Sequence, residues 1–264
     1  MLKSLDLFSG IGGMSYALQD YVRPIAYCEI DEYCRKVLAE RFNSDDLTRA
    51  PIYNDVKELQ AEGLDFDIIT AGFPCQDISS AGRGEGLEGE RSGLFFEIIR
   101  LVKEATPPWV FLENVPAIRT RGLTKVIESF SDLGYDCRWT CISAREVGAC
   151  HIRKRWFMLA HSHSHSLRVE SGRSEGPAWT KETRELRDKS KKRLVAESDG
   201  PGLEGHLGQK QTLAQPCGYG GQVSEPSLCR GAHGLSNRVD RIKSLGNAVV
   251  PAQCKLAFER LAGL

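Results

Sequence analysis

The chain of 264 residues carries no excess charge of either sign, because thirty-five Lys and Arg balance thirty-five Asp and Glu. That balance argues against a small basic nucleic-acid module, though not against an enzyme with a local basic face. It also lacks any uncharged apolar run near the length of a membrane span, about 18 residues. The opening MLKSLDLFSGIGG places Asp6 and glycines where a secretory leader needs an apolar stretch. Nine cysteines are an odd number and include no C-x-x-C pair, so neither a disulfide framework nor a zinc ribbon is indicated. A soluble, reduced, cytoplasmic protein is expected, with no membrane partner. Hydrophobic residues make up 41% of the chain, enough to bury one large core without covalent staples.

Three zones differ in texture. From residue 1 to 159, short apolar runs alternate with amphipathic stretches. Leu2–Phe8, Ile25–Cys28, Phe66–Thr70, Trp109–Leu112 and Trp156–Leu159 read as strands. A helix from about Met14, one carrying Tyr33, Val37, Leu38 and Phe42, and another over Leu94–Val102 lie between them. Nearly continuous apolar strands alternating with helices imply βαβ units, hence an α/β fold with a mostly parallel, doubly wound sheet. Residues 160–235 are rich in Gly, Ser, Pro and basic side chains, with nine basic against five acidic residues between Arg168 and Arg193. Residues 236–264 return to helix-forming sequence, with Leu256, Ala257 and Leu261 on one face, so the middle zone is an insertion in the main domain's path.

The first strand runs into Ser9-Gly10-Ile11-Gly12-Gly13 and then a helix, the layout of a nucleotide-type cofactor site. Its spacing departs from G-x-G-x-x-G. Glu29 follows the second strand, where a carboxylate can accept both ribose hydroxyls, and Asp55 sits where it could accept from an adenine amine. Carboxylates without a phosphate cradle suit a cofactor of net positive character, and S-adenosylmethionine fits that description better than a dinucleotide. A further strand ends in Gly72-Phe-Pro-Cys75-Gln, at the carboxyl end where α/β sheets bind ligands. Polar Gln76, Asp77 and Ser79 surround Cys75, the setting a reactive thiol needs. The other cysteines read as small buried hydrophobes. His161, His163 and His165 alternate on one strand face, but their spacing demands no metal and none is expected.

On five stretches the chain resembles the carbon-5 cytosine-specific DNA methyltransferases of bacterial and phage type: DLFSGIGG from Asp6, GFPCQ from Gly72, ENV from Glu113, RKR from Arg153 and GNAVVP from Gly246. They come in the family's order and span most of the chain. The resemblance implies a Rossmann-like S-adenosylmethionine-dependent fold, with residues 1–159 as catalytic core, 160–235 as target-recognition insertion and 236–264 returning to the core. It implies double-stranded DNA as substrate and methyl transfer to carbon 5 of a flipped-out cytosine. Cys75 would be the nucleophile that adds to carbon 6. Glu113 would contact ring nitrogen 3 and the exocyclic amine, a task requiring a raised pKa. Arg155 would hold the carbonyl oxygen and Arg153 would support the site. Phe8, Gly10 and Gly12 would meet the methionine and ribose, Glu29 the ribose diol and Asp55 the adenine amine. Ile30 and Val56 would pack on the adenine, while Gly72, Pro74, Asn247 and Ala248 complete the pocket. Asp77–Ser92 would close over the flipped base as a glycine-rich lid.

The sequence also departs from the family's pattern. His151 stands where the family has Gln in its Gln-x-Arg-x-Arg stretch, and Ser236–Arg241 is the only stand-in for the usual arginine-rich link before the last motif. No regulatory module is evident, so a free-standing monomer is expected, with a restriction endonuclease acting on the same site as candidate partner. Three other readings compete: an RNA cytosine-5 methyltransferase, a silent S-adenosylmethionine- and DNA-binding protein, and a nicotinamide oxidoreductase. The third needs a proper pyrophosphate turn and leaves Cys75 without a role.

Overall fold

The computed structural model describes residues 1–74, 93–163 and 238–264. Cys75, the Asp77–Ser92 stretch, His165 and nearly all of the 160–235 insertion lie outside them. Seven strands form one sheet in the order β3-β2-β1-β4-β5-β7-β6. They are β1 Leu2–Leu7, β2 Val22–Cys28, β3 Ile52–Tyr53, β4 Ile68–Gly72, β5 Trp109–Asn114, β6 Tyr135–Ile142 and β7 Arg155–Ser162. From β3 to β5 every pairing is parallel, while β7 runs antiparallel to both β5 and β6. The expected mostly parallel α/β sheet is thus present.

Burial explains why the central strands read as nearly continuous apolar runs. Leu5, Leu7, Ile68, Ile69, Val110, Phe111 and Leu112 are all fully buried, because helices cover both faces. On one face, Phe95, Ile98 and Leu101 of α3 (Leu94–Ala105) join Val126 and Phe130 of α5 (Leu123–Asp132) over Val110, Leu112, Trp156 and Met158. On the other, α7 (Pro251–Ala262) packs on β6, β7 and α1 (Gly13–Ala17), with Phe258 edge-on to Phe111 at 5.3 Å. The last residues therefore return to the same sheet as the first. Within α7, Ala257 and Leu261 are buried as the helical face requires, and Gln253 is buried with them.

Helix α2 (Glu32–Asn43) is capped by Asp31, whose carboxylate accepts from Tyr33 N at 3.0 Å and Cys34 N at 3.2 Å. Its buried residues are Cys34, Leu38 and Phe42, one stripe at helical spacing, and Tyr33 and Val37 flank it. The helix expected near Met14 is barely more than one turn. Strand β6 and helix α5 have no counterpart in the sequence reading. β6 is an edge strand whose Arg138, Trp139 and Thr140 stay half-exposed, so its sequence shows neither a buried run nor clean alternation.

Candidate active site

Strand order reverses between β1 and β4: from β1 the chain moves to β2 on one side, whereas β4 lies on the other. Loops leaving the carboxyl ends of β1 and β4 therefore diverge and open a cleft between them. The cleft has a volume of about 710 Å³. Phe8, Gly10, Glu29, Ile30, Asp55, Val56, Gly72, Pro74, Asn247 and Ala248 all line it, with Glu113 and Arg155 at its far end. The sequence reading had placed the first ten of those residues in one cofactor pocket from five separate stretches of chain.

The turn after β1 is built to hold a carboxylate. Phe8 adopts a left-handed φ of 53°, a conformation uncommon for a bulky residue. Ser9 locks the turn by donating from Oγ to Asp6 O at 2.7 Å and from its backbone N to Cys28 O at 3.1 Å. Gly10 N then donates to Glu29 Oε2 at 2.7 Å, and Asp31 N donates to Glu29 Oε1 at 2.8 Å. Both oxygens of Glu29 are thus oriented before any ligand arrives. Ile30 beside it is 70% exposed, an apolar side chain standing in water at the cleft's edge. Asp55 uses Oδ1 to accept from Lys57 N at 2.9 Å.

Gly12 departs from its expected place, because it does not line the cleft. At φ +79° it caps α1, and a Cβ there would lie 2.3 Å from Leu47 Cδ1 and 2.9 Å from Leu38 Cδ2. Its demand for glycine comes from packing against the Tyr27, Leu38, Phe42 and Leu47 cluster.

At the other end of the cleft, Glu113 closes β5 and lies in register with Gly72 of β4. Arg155, the first residue of β7, sets its Nε 3.0 Å from Glu113 Oε1. Burial pushes the Glu113 carboxyl up to about 7, against the opposing pull of Arg155 and Arg153. Gly72 permits this close approach: a Cβ there would lie 3.3 Å from Glu113 Oε2. Asn114 donates from Nδ2 to Phe73 O at 3.4 Å and accepts from Val115 N at 2.7 Å, tying the end of β5 to the segment that leads into Cys75. Arg153 stays out of the cleft. Its Nη2 donates to Gly246 O at 2.8 Å and Ala248 O at 2.7 Å, so it braces the cleft wall from behind. His151 is exposed.

The sequence reading gave no role to three features of the cleft. Asp6 is 1% exposed and accepts hydrogen bonds from the Ser15 and Thr70 hydroxyls. Burial pushes its carboxyl up to about 7, and nearby Glu29 adds to the effect. Its signal was a lone acid inside an apolar strand. Lys243 on α6 (Arg238–Asn247) pairs with Asp31 at 2.6 Å, and Ser244 Oγ lies 3.3 Å from Cys34 Sγ, closing one side of the cleft. Those contacts join residues some 210 positions apart, which no local pattern could show. Burial raises the thiols of Cys28 and Cys34, Cys28 to about 12, so both are inert linings. Near the opposite edge of the sheet, His163 pairs with Asp136 at 2.8 Å and His161 packs on Trp109 with ring centroids 4.0 Å apart.

The chain is 39% identical over 161 residues to the Type II methyltransferase M.CviJI of Paramecium bursaria Chlorella virus IL3A, covering 60% of this chain and 42% of that protein. To the Type II methyltransferase M2.BsuMI of Bacillus subtilis (strain 168) it is 36% identical over 172 residues, again 60% and 42% of the two chains. It thus spans about two-fifths of the length of these relatives. A solved E. coli structure assigned as a prophage-encoded DNA modification methyltransferase superposes with a TM-score of 0.51 at 27% identity, over 63% of this chain and 48% of that one. The family model for C-5 cytosine-specific DNA methylases matches residues 2–215. With its Rossmann-like sheet, its cleft at the strand-order reversal and this match over most of its length, the chain belongs to the C-5 cytosine-specific DNA methylase family.

Proposed function

We propose that the chain transfers a methyl group from S-adenosylmethionine to carbon 5 of a cytosine in double-stranded DNA. The observation that carries this reading is the buried Glu113 paired with half-buried Arg155 at the end of β5, one strand from the segment that leads into Cys75.

The cleft fits S-adenosylmethionine and opposes a dinucleotide. Gly10 N, the amide that would cradle a pyrophosphate, already donates to Glu29, whose charge would repel phosphate. Glu29 and Asp55 would take the ribose diol and the adenine amine, with Ile30 and Val56 against the ring. When bound, the cofactor supplies an electrophilic methyl on a sulfonium centre. Carbon 5 of cytosine is a poor nucleophile, so Cys75 adds as thiolate to carbon 6 and makes the ring an enamine. Negative charge then moves toward ring nitrogen 3 and the carbonyl oxygen. Glu113, holding a proton near neutral pH, donates at nitrogen 3, and Arg155 holds the carbonyl oxygen. Carbon 5 would then take the methyl as the sulfonium leaves as a neutral thioether, after which loss of the carbon-5 proton to water, return of the nitrogen-3 proton to Glu113 and expulsion of the Cys75 thiolate would complete the reaction. The target atom lies inside the duplex, so the base must leave the stack, and Asp77–Ser92 would close over it.

The rim of this end of the sheet suits a polyanion. Arg119 and Arg121 stand exposed on the short helix α4 (Ile118–Arg121) that follows β5, and Lys154 is exposed beside Arg155. Arg119 and Lys154 both neighbour Cys141 and oppose the rise that burial imposes on its thiol. We assign residues 160–235 to target recognition. We place the protein in the cytoplasm as a monomer, with a restriction endonuclease of the same site as candidate partner and a solitary enzyme as the other outcome. Among the described residues no helix is long and apolar enough to cross a membrane.

The test is expression in a host lacking cytosine methylation, followed by bisulfite sequencing of its DNA, with Cys75→Ala as control. Protected cytosines in one short motif, with the wild type only, are expected. Unmodified DNA from a protein that binds S-adenosylmethionine would refute the reading and direct the assay to RNA.

A further inference from the structure

Gln253 is the one long polar side chain of α7 that is wholly buried, at 0% exposed. Its Nε2 donates twice, to Ile142 O at 2.6 Å and to Arg153 O at 2.8 Å. The first carbonyl ends β6 and the second belongs to the loop that enters β7. That loop is strained, since Arg153 holds φ at 23°, which L residues rarely adopt. Arg153 in turn donates from Nη2 to Gly246 O and Ala248 O, on the segment just before α7. The contacts close a ring: α7 grips the backbone of Arg153, and the side chain of Arg153 grips the cleft wall leading into α7. Two residues further on, Arg155 meets Glu113.

We propose that Gln253 is a positioning residue that fixes the strained Arg153 turn and so holds Arg153 and Arg155 in register with Glu113. An apolar side chain could fill the same buried space but would leave the turn free to relax. The use of a buried amide, which must be desolvated, fits a need for direction rather than for volume. Three groups face Glu113: Arg155 on β7, Arg153 on the loop before it, and the buried thiol of Cys254 on α7. Asp6 on β1 lines the same cleft. Only the two arginines favour the carboxylate, so their placement sets how far Glu113 departs from an ordinary acid.

The test reads Glu113 directly in the free protein, by following its carboxyl carbon resonance through a pH titration. No DNA or cofactor is present, so the outcome is independent of whether the chain methylates DNA; the inference rests on the proposed function only for what the Glu113 proton is used for. Gln253→Met removes both donors at similar length, and the Glu113 midpoint should rise by roughly half a pH unit or more as the arginines loosen. Phe258→Leu, on the same helix, should lower stability and leave the midpoint where it was. An unchanged midpoint in folded Gln253→Met, or an equal rise in Phe258→Leu, would overturn the proposal. If Gln253→Met does not fold, the wild type decides: the Gln253 side-chain amide protons should exchange with solvent at least roughly a hundredfold more slowly than those of an exposed amide. Exchange at the exposed rate would overturn it equally.

Discussion

Replacing Glu113 by Gln gives a signature in stability that needs no substrate. Its carboxyl is moved from the ordinary value near 4.5 to about 7. The folded protein keeps this proton up to about pH 7, whereas the unfolded chain releases it near 4.5, so between the two the folded state binds more protons. Stability contributed by this group therefore falls as pH rises through that window and stays low above it. At about 1.4 kcal/mol per pKa unit, the full loss is about 3 kcal/mol. Gln keeps the size of the side chain and cannot ionise. The stability of Glu113→Gln minus that of the wild type should therefore increase by about 3 kcal/mol between pH 4 and pH 8.5. Taking that difference cancels Asp6, which titrates over the same window in both proteins, and also cancels any fixed change in packing. Urea unfolding followed by tryptophan fluorescence measures it, and with a slope of about 3 kcal/mol per molar the midpoints should move apart by about 1 M. A difference that stays flat across the range would show that Glu113 titrates as an ordinary glutamate and is ionised at neutral pH, and the case for it as a proton donor there would fail.

Other expectations follow from the same geometry. Gly12→Ala forces a left-handed residue into Leu47 and Leu38, and should lower stability by about 2–4 kcal/mol, read as a fall in Tm, although the residue lies outside the cleft. Asp55→Ala should weaken binding of S-adenosylmethionine roughly tenfold by calorimetry while leaving Tm nearly unchanged, since only one exposed turn hydrogen bond is lost with it. The double variant Arg119→Ala/Lys154→Ala should reduce the salt dependence of DNA binding by roughly two in the log–log slope, one phosphate for each side chain, with cofactor affinity unaltered. An unchanged slope would remove these two residues from the DNA-facing rim.

Sequence pattern made the parallel half of the fold legible because burial on both faces leaves nearly continuous apolar runs such as Trp109–Leu112. β6 stayed hidden for the converse reason: at the edge of a sheet, polar and apolar side chains are equally tolerated. Within the site, most of the residues grouped from their motifs fall in one cleft because those motifs end a parallel strand, begin the antiparallel β7 or precede a helix on the ligand side. The packing demand on Gly12 could not be read beforehand, since a glycine required by packing and one required by a ligand look alike in a sequence. Asp6, Lys243, Ser244 and Gln253 carry no local signature. Their meaning lies in partners far along the chain, such as the Gln253 amide and Ile142 O, 111 positions apart.

The reversed direction of β7 has its own consequence for how this chain can be rebuilt. A parallel strand delivers its last residue to the ligand side, but β7 delivers its first, Arg155, and carries the chain away from Glu113. Its eight residues leave the sheet at Ser162, whose amide donates to Pro108 O at the foot of β5. At about 3.4 Å per residue, the seven steps from Arg155 put that exit about 24 Å from the Glu113–Arg155 pair. A graft joined just after Ser162 would meet the scaffold at a strand end anchored by a full ladder of hydrogen bonds, so foreign sequence could be exchanged there without strain reaching Arg155 along the strand.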